Sequence, residues 1–418
     1  MSWFRHLWGA AALALLLGAC ALRPSPAALP QPYPTILPGA ELVEQHDASL
    51  PFPLRLPPGF RITRYADGLE EVRSVVFSPA GVPHVTVMNR KAREAGKVLA
   101  LPDDDGDGRA DRTVVVLDGL DRPHGIAFHG GFLYVAEPDT VWRLRDADGD
   151  LLPDERVAVV ENLAQVSGHL ARPLLFDDAG RLLVAIGSTC NACKEEDPRH
   201  GAILRFDVSG ARSPAAPGEI YASGLRSVVG MTFRPGTQEL WALDNGADHL
   251  GREQPPDLIV RVEQGVRYGW PYCYGDRVPD ISVQDNPEVA PPDDGPVETF
   301  CRDRAGAPAI LLPTHVAPLG VIFYTGDRFP PELRGDMFVT LHGSHGFVNQ
   351  YGYKVIRIPF KNGRPASAPQ DFITGWAPEG ADIWLGRPLD VEQAPDGTLF
   401  VTDDANGFLY RVDYVGGR

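Results

Sequence analysis

One histidine is set where it could do chemistry. His169, in SGHLARPLLF, lies a few residues ahead of an apolar stretch, in a chain of 418 residues with 11 histidines. A neutral imidazole titrates near neutral pH and can take a proton from a hydroxyl, so a histidine held at a site mouth can act as a general base. Other cationic side chains stand at comparable places ahead of apolar stretches: Arg73, Arg122 with His124, Arg172, Arg226, His315, and Arg387 with Asp390. Cations that converge on one mouth predict an anionic ligand or cofactor. Taken singly, each also fits a bland role, an ion-paired arginine or a hydrogen-bonded structural histidine.

Two acidic stretches and five cysteines carry further chemistry. DDDGDGRAD (103–111) and DADGDLLPD (146–154) repeat a D-x-D-G-D spacing. Asp103, Asp105 and Asp107, and likewise Asp146, Asp148 and Asp150, could wrap a structural calcium around a glycine turn. Neither has a glutamate at the twelfth position, so neither is an EF-hand, and a plain acidic turn is the alternative. Cys190 and Cys193 form CNAC, followed by Lys194 rather than the histidine of a haem attachment site. No nearby histidine pair favours zinc. In an exported chain the expectation is a tight Cys190–Cys193 disulfide, with Cys273–Cys301 stapling an insertion.

The elements that must position these residues show up as an internal repeat. Six stretches alternate apolar residues and end in polar or turn residues: VPHVTVMNR, FLYVAEPDT, RLLVAIGST, ELWALDNGA, DMFVTLHGS and TLFVTDDAN. An apolar strand with a turn precedes each, and a third strand such as GKVLAL, AILRF or KVIRI follows most of them. A fourth, more polar strand would complete each unit. Such a meander cannot bury both faces alone, but units stacked radially can, and they leave few free edges. The pattern predicts an all-β chain: a six-bladed β-propeller of four-stranded antiparallel blades over residues 55–418, with an insertion around 270–315. RITRYADGL (61–69) is placed to pair with the last repeat and close the ring. The cationic residues above then fall at the entrances of the innermost strands, which line the channel.

Composition agrees and excludes some partners. The formal net charge of −16 and the lack of a Lys/Arg run argue against nucleic acid. The start, MSWFRHLWGAAALALLLGAC, has a short apolar run ending in small residues before Cys20. This is the pattern of an export signal, and LGAC resembles a bacterial lipobox, which implies cleavage before Cys20 and its lipidation. Residues 1–20 are thus expected to be a lipoprotein signal peptide and 21–54 a Pro-rich tether. The expected location is the periplasm, anchored by lipid at the outer membrane, as a monomer or dimer.

The chain resembles the glucose/sorbosone dehydrogenase family, six-bladed propellers that use pyrroloquinoline quinone (PQQ) and calcium. The resemblance rests on GHLARPLLFDDAGRLLVAIGSTCN, on the long run from YASGLRSVVGM to YGWPYCYG, on VTLHGSHG with GYKVIRI, and on GRPLDVEQAPDGTLFVTDD. It implies His169 as the base that removes a sugar hydroxyl proton. It implies Arg226 over the quinone oxygens and Arg387 as a partner for a cofactor carboxylate. His342 falls near a cofactor-binding lysine of the glucose enzymes, and His124 could compensate for that missing lysine. Carbonyls of Gly246 and Ala247 match calcium ligands, and Asp257 a neighbouring acidic position. Two residues after Arg387, where the glucose enzymes have a second arginine, this chain has Leu389.

The resemblance implies an exported PQQ- and calcium-dependent dehydrogenase. It would oxidise an aldose or sugar aldehyde to a lactone or acid and pass electrons to an external cytochrome or quinone. PQQ carries three carboxylates, which suits an arginine-lined mouth. Two other classes compete with this one. A calcium-dependent lactonase would want a carboxylate-rich metal centre at the mouth, where arginines dominate. A non-catalytic propeller binding a glycan or protein would use His169 and Arg226 only as scaffold.

Overall fold

Strand formation follows the repeat. In the computed structural model, which describes residues 35–164, 168–209, 218–284, 295–344 and 351–416, each of the six repeats is the second strand of a four-stranded antiparallel sheet. The innermost strands are Val72–Phe77, Ile126–His129, Leu174–Phe176, Val228–Phe233, Pro318–Phe323 and Pro388–Gln393, taken as blades 1 to 6. Second strands such as Leu182–Ile186 and Leu240–Asp244 are buried along their whole length, because a neighbouring blade covers each face. Outer strands such as Val114–Leu120 are buried at only a few positions and meet solvent. Phe60–Ala66 pairs antiparallel with Phe408–Tyr414, with Ile62 opposite Val412, so an early segment completes the last blade. The sheet is a closed six-bladed β-propeller.

Packing holds the blades to one another. Each interface between adjacent blades carries its own apolar cluster. Between blades 5 and 6, for example, Tyr324, Phe338, Trp376 and Tyr410 are fully buried. Three blades are also stitched by a threonine on the second strand. Thr86 Oγ1 accepts the Ser74 N–H of its own inner strand (3.1 Å) and donates to the His124 carbonyl of the next blade (2.8 Å). Thr340 does the same between Gly320 N–H and the Leu389 carbonyl, and Thr402 between Asp390 N–H and the Arg73 carbonyl. A hydroxyl both donates and accepts, so one buried side chain satisfies two main-chain groups. At Gly125 a Cβ would strike the Arg172 carbonyl oxygen, so glycine is what lets these neighbouring segments approach.

Two additions decorate the ring. Between the third strand (Pro256–Val262) and the outer strand (Ile310–Thr314) of blade 4 lie short helices at Ile281–Gln284 and Val297–Asp303. They pack with Tyr272 and Phe300 around the buried Cys273–Cys301 disulfide, on the stretch expected to be an insertion. Part of the expected tether is not free chain. Leu37 N–H donates to the Pro369 carbonyl (2.8 Å) and its carbonyl accepts the Asp371 N–H (3.1 Å), which ties this segment to the edge of blade 5. The described residues belong to one compact unit, Tyr33–Arg418. Among them no helix is long and apolar enough to cross a membrane. Cys20 and the expected signal peptide lie outside the described residues.

Candidate active site

The antiparallel meander sets which residues share the mouth. The start of each inner strand lies beside the end of its second strand, so residues just before one and just after the other emerge together. His169 precedes the inner strand of blade 3, and Ser188 follows the second strand. His169 Nδ1 lies 2.8 Å from the Ser188 carbonyl and 3.1 Å from Ser188 Oγ. A carbonyl only accepts, so Nδ1 carries the proton and Nε2 is left as a bare acceptor. Burial, then the charge of Arg226, holds the ring below the usual histidine pKa, which favours the neutral base. At Gly187 a Cβ would collide with that of His169, so glycine clears the space for the ring.

Arg226 stands beside it on blade 4. Its Nε donates to the Asn191 carbonyl (3.1 Å) and Nη2 to Asn191 Oδ1 (2.8 Å). Nη1 donates to the carbonyls of Gly246 (2.9 Å) and Asn245 (3.3 Å). The nearest carboxylate pairing is with Asp248, at 3.7 Å and largely exposed. Buried Asp257 braces this loop: its two oxygens accept the N–H groups of Gly246 (2.8 Å) and Ala317 (2.9 Å). Burial lifts its pKa to about 6. Asp257 therefore sets where the Gly246 carbonyl points, while Arg226 already occupies one side of that carbonyl. Ala247 is buried in the same turn.

Blades 5, 6 and 1 supply a second group. Asp404 accepts from Arg73 Nη1 (2.8 Å), His342 Nε2 (2.9 Å) and, more weakly, Arg90 Nη2 (3.4 Å). Burial would raise the Asp404 carboxyl, but His342, Arg73 and Arg387 together hold it well below the usual range. His342 is pushed down to about 4, chiefly by burial, so a neutral imidazole donates to an ionised carboxylate. Arg387 donates to the main-chain carbonyls of His342 (3.4 Å) and Gly343 (2.9 Å), and its guanidinium lies 5.7 Å from the centre of the half-exposed Trp384 ring. His124 is buried and, among the described residues, neither of its ring nitrogens has a hydrogen-bond partner; the same holds for Arg73 Nε. Burial, then Arg73 and Arg172, holds His124 neutral.

Not every expected cation faces the mouth. Arg172 is wholly buried and donates to the carbonyls of Pro138, His169 and Ala171, so it holds the His169 loop. Arg122 turns onto Asp121 (2.7 Å). His315 bonds the Gly251 carbonyl (2.8 Å) and pairs with Asp248 (3.3 Å). Asp390 accepts the N–H groups of Val75 and Val391 inside the ring. Leu389 is buried, with its carbonyl held by Thr340, so its side chain is not a mouth group. Both acidic stretches lie between third and outer strands, away from the mouth. Their close carboxylate groupings are Asp103, Asp105 and Asp111, and Asp146, Asp148 and Asp154; Asp107 and Asp150 stand outside these groupings. The cysteines pair as expected, Cys190 with Cys193 and Cys273 with Cys301.

Sequence reasoning missed Ser188, Asn191, Arg90 and Asp404. A readable signal existed for two of them, Ser188 and Asp404. Ser188, Asn245, His342 and Asp404 each come within two residues of the end of a second strand, the other half of the mouth.

Comparison with known proteins places the fold. An uncharacterized protein of Borreliella burgdorferi is 29% identical over 311 residues, covering 71% of this chain and 76% of its own length. A pyrroloquinoline quinone-dependent pyranose dehydrogenase of Coprinopsis cinerea is 22% identical over 421 residues, 86% of this chain. This chain spans about half of that enzyme, 54% of its length. Among solved structures, a Trichoderma reesei carbohydrate-active enzyme of family AA12 superposes with a TM-score of 0.73 at 23% identity, over 88% of this chain and 100% of that one. The PQQ domain of the Coprinopsis cinerea pyranose dehydrogenase gives 0.71 at 21%, over 87% and 98%. A glucose dehydrogenase gives 0.61 at 19%, over 86% and 100%. A family model described as TrAA12-like matches residues 54–415. The chain therefore belongs to the TrAA12-like family.

Proposed function

We propose that the protein is a PQQ-dependent dehydrogenase that oxidises an aldose or sugar aldehyde to a lactone or acid. One observation carries the reading: a neutral histidine with a bare Nε2 shares a mouth with arginines that are bonded mainly to uncharged carbonyls. Arg226 and Arg387 are thus oriented without being neutralised, which suits a ligand with several carboxylates. The unpartnered ring nitrogens of buried His124 and the free Nε of Arg73 fit the same polar guest. The names of the Coprinopsis and Trichoderma relatives support the reading.

His169 Nε2 takes the proton of the substrate hydroxyl, and the Ser188 carbonyl steadies the imidazolium that forms. When bound, PQQ supplies a quinone that accepts the hydride. Arg226 is placed to stabilise negative charge that grows on the cofactor oxygens, and Arg387 and His124 to hold its carboxylates, while His342, whose one N–H is given to Asp404, braces that group. Calcium belongs to the same proposal, on the carbonyls of Gly246 and Ala247, with Asp257 fixing their turn. The acidic groupings at Asp103 and Asp146 are proposed as structural calcium sites. The N-terminal pattern supports export, lipidation at Cys20 and a periplasmic setting, with a separate cytochrome or quinone taking the electrons.

The test is dye-linked turnover of the protein lacking residues 1–20, loaded with PQQ and calcium and offered a panel of aldoses and sugar aldehydes. PQQ-dependent activity that disappears in His169→Ala is expected. No turnover together with no PQQ binding in a titration would overturn the reading in favour of a binding propeller.

A further inference from the structure

Asn191 takes a place in the mouth that its position in a short cysteine turn does not announce. Two of the three guanidinium nitrogens of Arg226 donate to this one residue, Nε to its carbonyl and Nη2 to its Oδ1. Each of those oxygens accepts a second bond. Trp270 Nε1 donates to the carbonyl (3.2 Å) and Asp248 N–H to Oδ1 (3.0 Å). Asn191 is nonetheless exposed at the rim, so packing does not hold it. Covalent closure does. The Cys190–Cys193 disulfide closes the turn around Asn191, and Ser188 Oγ anchors the turn by donating to the Cys190 carbonyl (2.7 Å). Glu195 anchors the preceding residue, accepting the Thr189 N–H (2.7 Å) and hydroxyl (2.8 Å).

We propose that Asn191, held in the disulfide-closed turn, is the positioning residue for Arg226. It grips the guanidinium with neutral oxygens, fixing its direction while leaving its charge for an anion. An aspartate there would orient the arginine equally well and cancel that charge. The inference rests on the reading of Arg226 as an anion-facing group. Ser188 bonds both His169 and this turn, so the histidine and the arginine share one brace.

The test pairs a readout that ignores the cofactor with one that uses it. The Arg226 Nη2–H proton resonances, which report the bond to the Asn191 side chain and are assigned by their loss in Arg226→Lys, show exchange with water in the protein without cofactor. Slow exchange is expected in the unmodified protein and in Asn191→Asp, and fast exchange in Asn191→Ala and in Cys190→Ser/Cys193→Ser. PQQ titration followed by absorbance should weaken about tenfold or more in all three variants, the equivalent of one charge-assisted hydrogen bond. In Asn191→Asp the cause would be charge, and in the others lost direction. Exchange that stays slow in both Asn191→Ala and the double serine variant overturns the proposal. If the unmodified protein binds no PQQ, the functional reading fails, while the exchange data still decide the positioning role. If Asn191→Ala does not fold, the near-isosteric Asn191→Asp carries the comparison, and its failure to weaken PQQ binding overturns the charge-sparing grip.

Discussion

Chemistry at the mouth is decided one atom at a time. His169 can act as a base because a carbonyl takes its Nδ1–H and leaves Nε2 bare. Its pKa is lowered by burial and by Arg226, so the base is in its active form throughout the neutral range. The acid limb of kcat/KM for the free, loaded enzyme should therefore fall below pH about 6.5, the ordinary histidine value. His169→Gln should lower kcat about 100-fold or more, the usual span for a general base, with PQQ affinity kept. A pH–rate profile centred above 6.5, or unchanged turnover in His169→Gln, would remove the histidine from this role. The His342–Asp404–Arg73 group works differently. It joins three blades through one buried carboxylate, and the neutral histidine keeps that carboxylate ionised without adding a further buried charge.

At the scale of elements, the stitching threonines tie site residues to the ring. Thr402 holds the carbonyl of Arg73, and Thr86 that of His124, so the mouth residues of blades 1 and 2 are placed by the preceding blades. Thr402→Val keeps the shape and removes the hydroxyl. It leaves Asp390 N–H and the Arg73 carbonyl buried without partners, and each such group costs about 1–3 kcal/mol. Urea denaturation should show a loss of about that size or more, and Arg73 should hold an anion less well. A variant as stable as the parent would show that the hydroxyl is not a structural link. The blades without threonine at this position carry Ala136, Ala185 and Leu243, and the described hydrogen bonds include no equivalent stitch there.

The whole ring creates a channel that no single blade contains. Its far end, opposite the mouth, opens into a cavity of about 530 Å³ lined by residues including Phe128, Phe176, Met231, Phe323 and Glu392. Glu392 is half-buried against this open cavity, and desolvation, with Asp390 adding to it, raises its pKa to about 8. A carboxyl whose folded pKa exceeds its unfolded one stabilises the fold fully at pH below the unfolded value. It loses that contribution as pH rises through the folded value. Glu392→Gln cannot lose a proton. The melting temperature of Glu392→Gln relative to the parent should therefore rise steadily from pH about 4.5 to about 8 and then level off. A difference that stays flat across this range would mean the glutamate is ionised and solvated in the channel.

Much of the molecule was legible in the chain alone, for a physical reason. Alternating apolar residues that recur with turns between them can bury their faces only by stacking, so the six repeats, their strand roles and the closing strand at 61–69 follow from local pattern. The cysteine pairs and the placing of His169, Arg226 and Arg387 at strand entrances were equally local. What the pattern could not carry was direction. Arg73, Arg122, Arg172 and Arg226 look alike as letters, yet one meets a carboxylate from another blade, one its own neighbour, one a buried nest of carbonyls, and one the oxygens of Asn191. Hydrogen-bond partners far apart in sequence, such as Arg73 with Asp404, are brought together by ring closure. Strand identity is a property of nearest neighbours along the chain, whereas a side chain's charge state and aim depend on neighbours that only the closed propeller supplies.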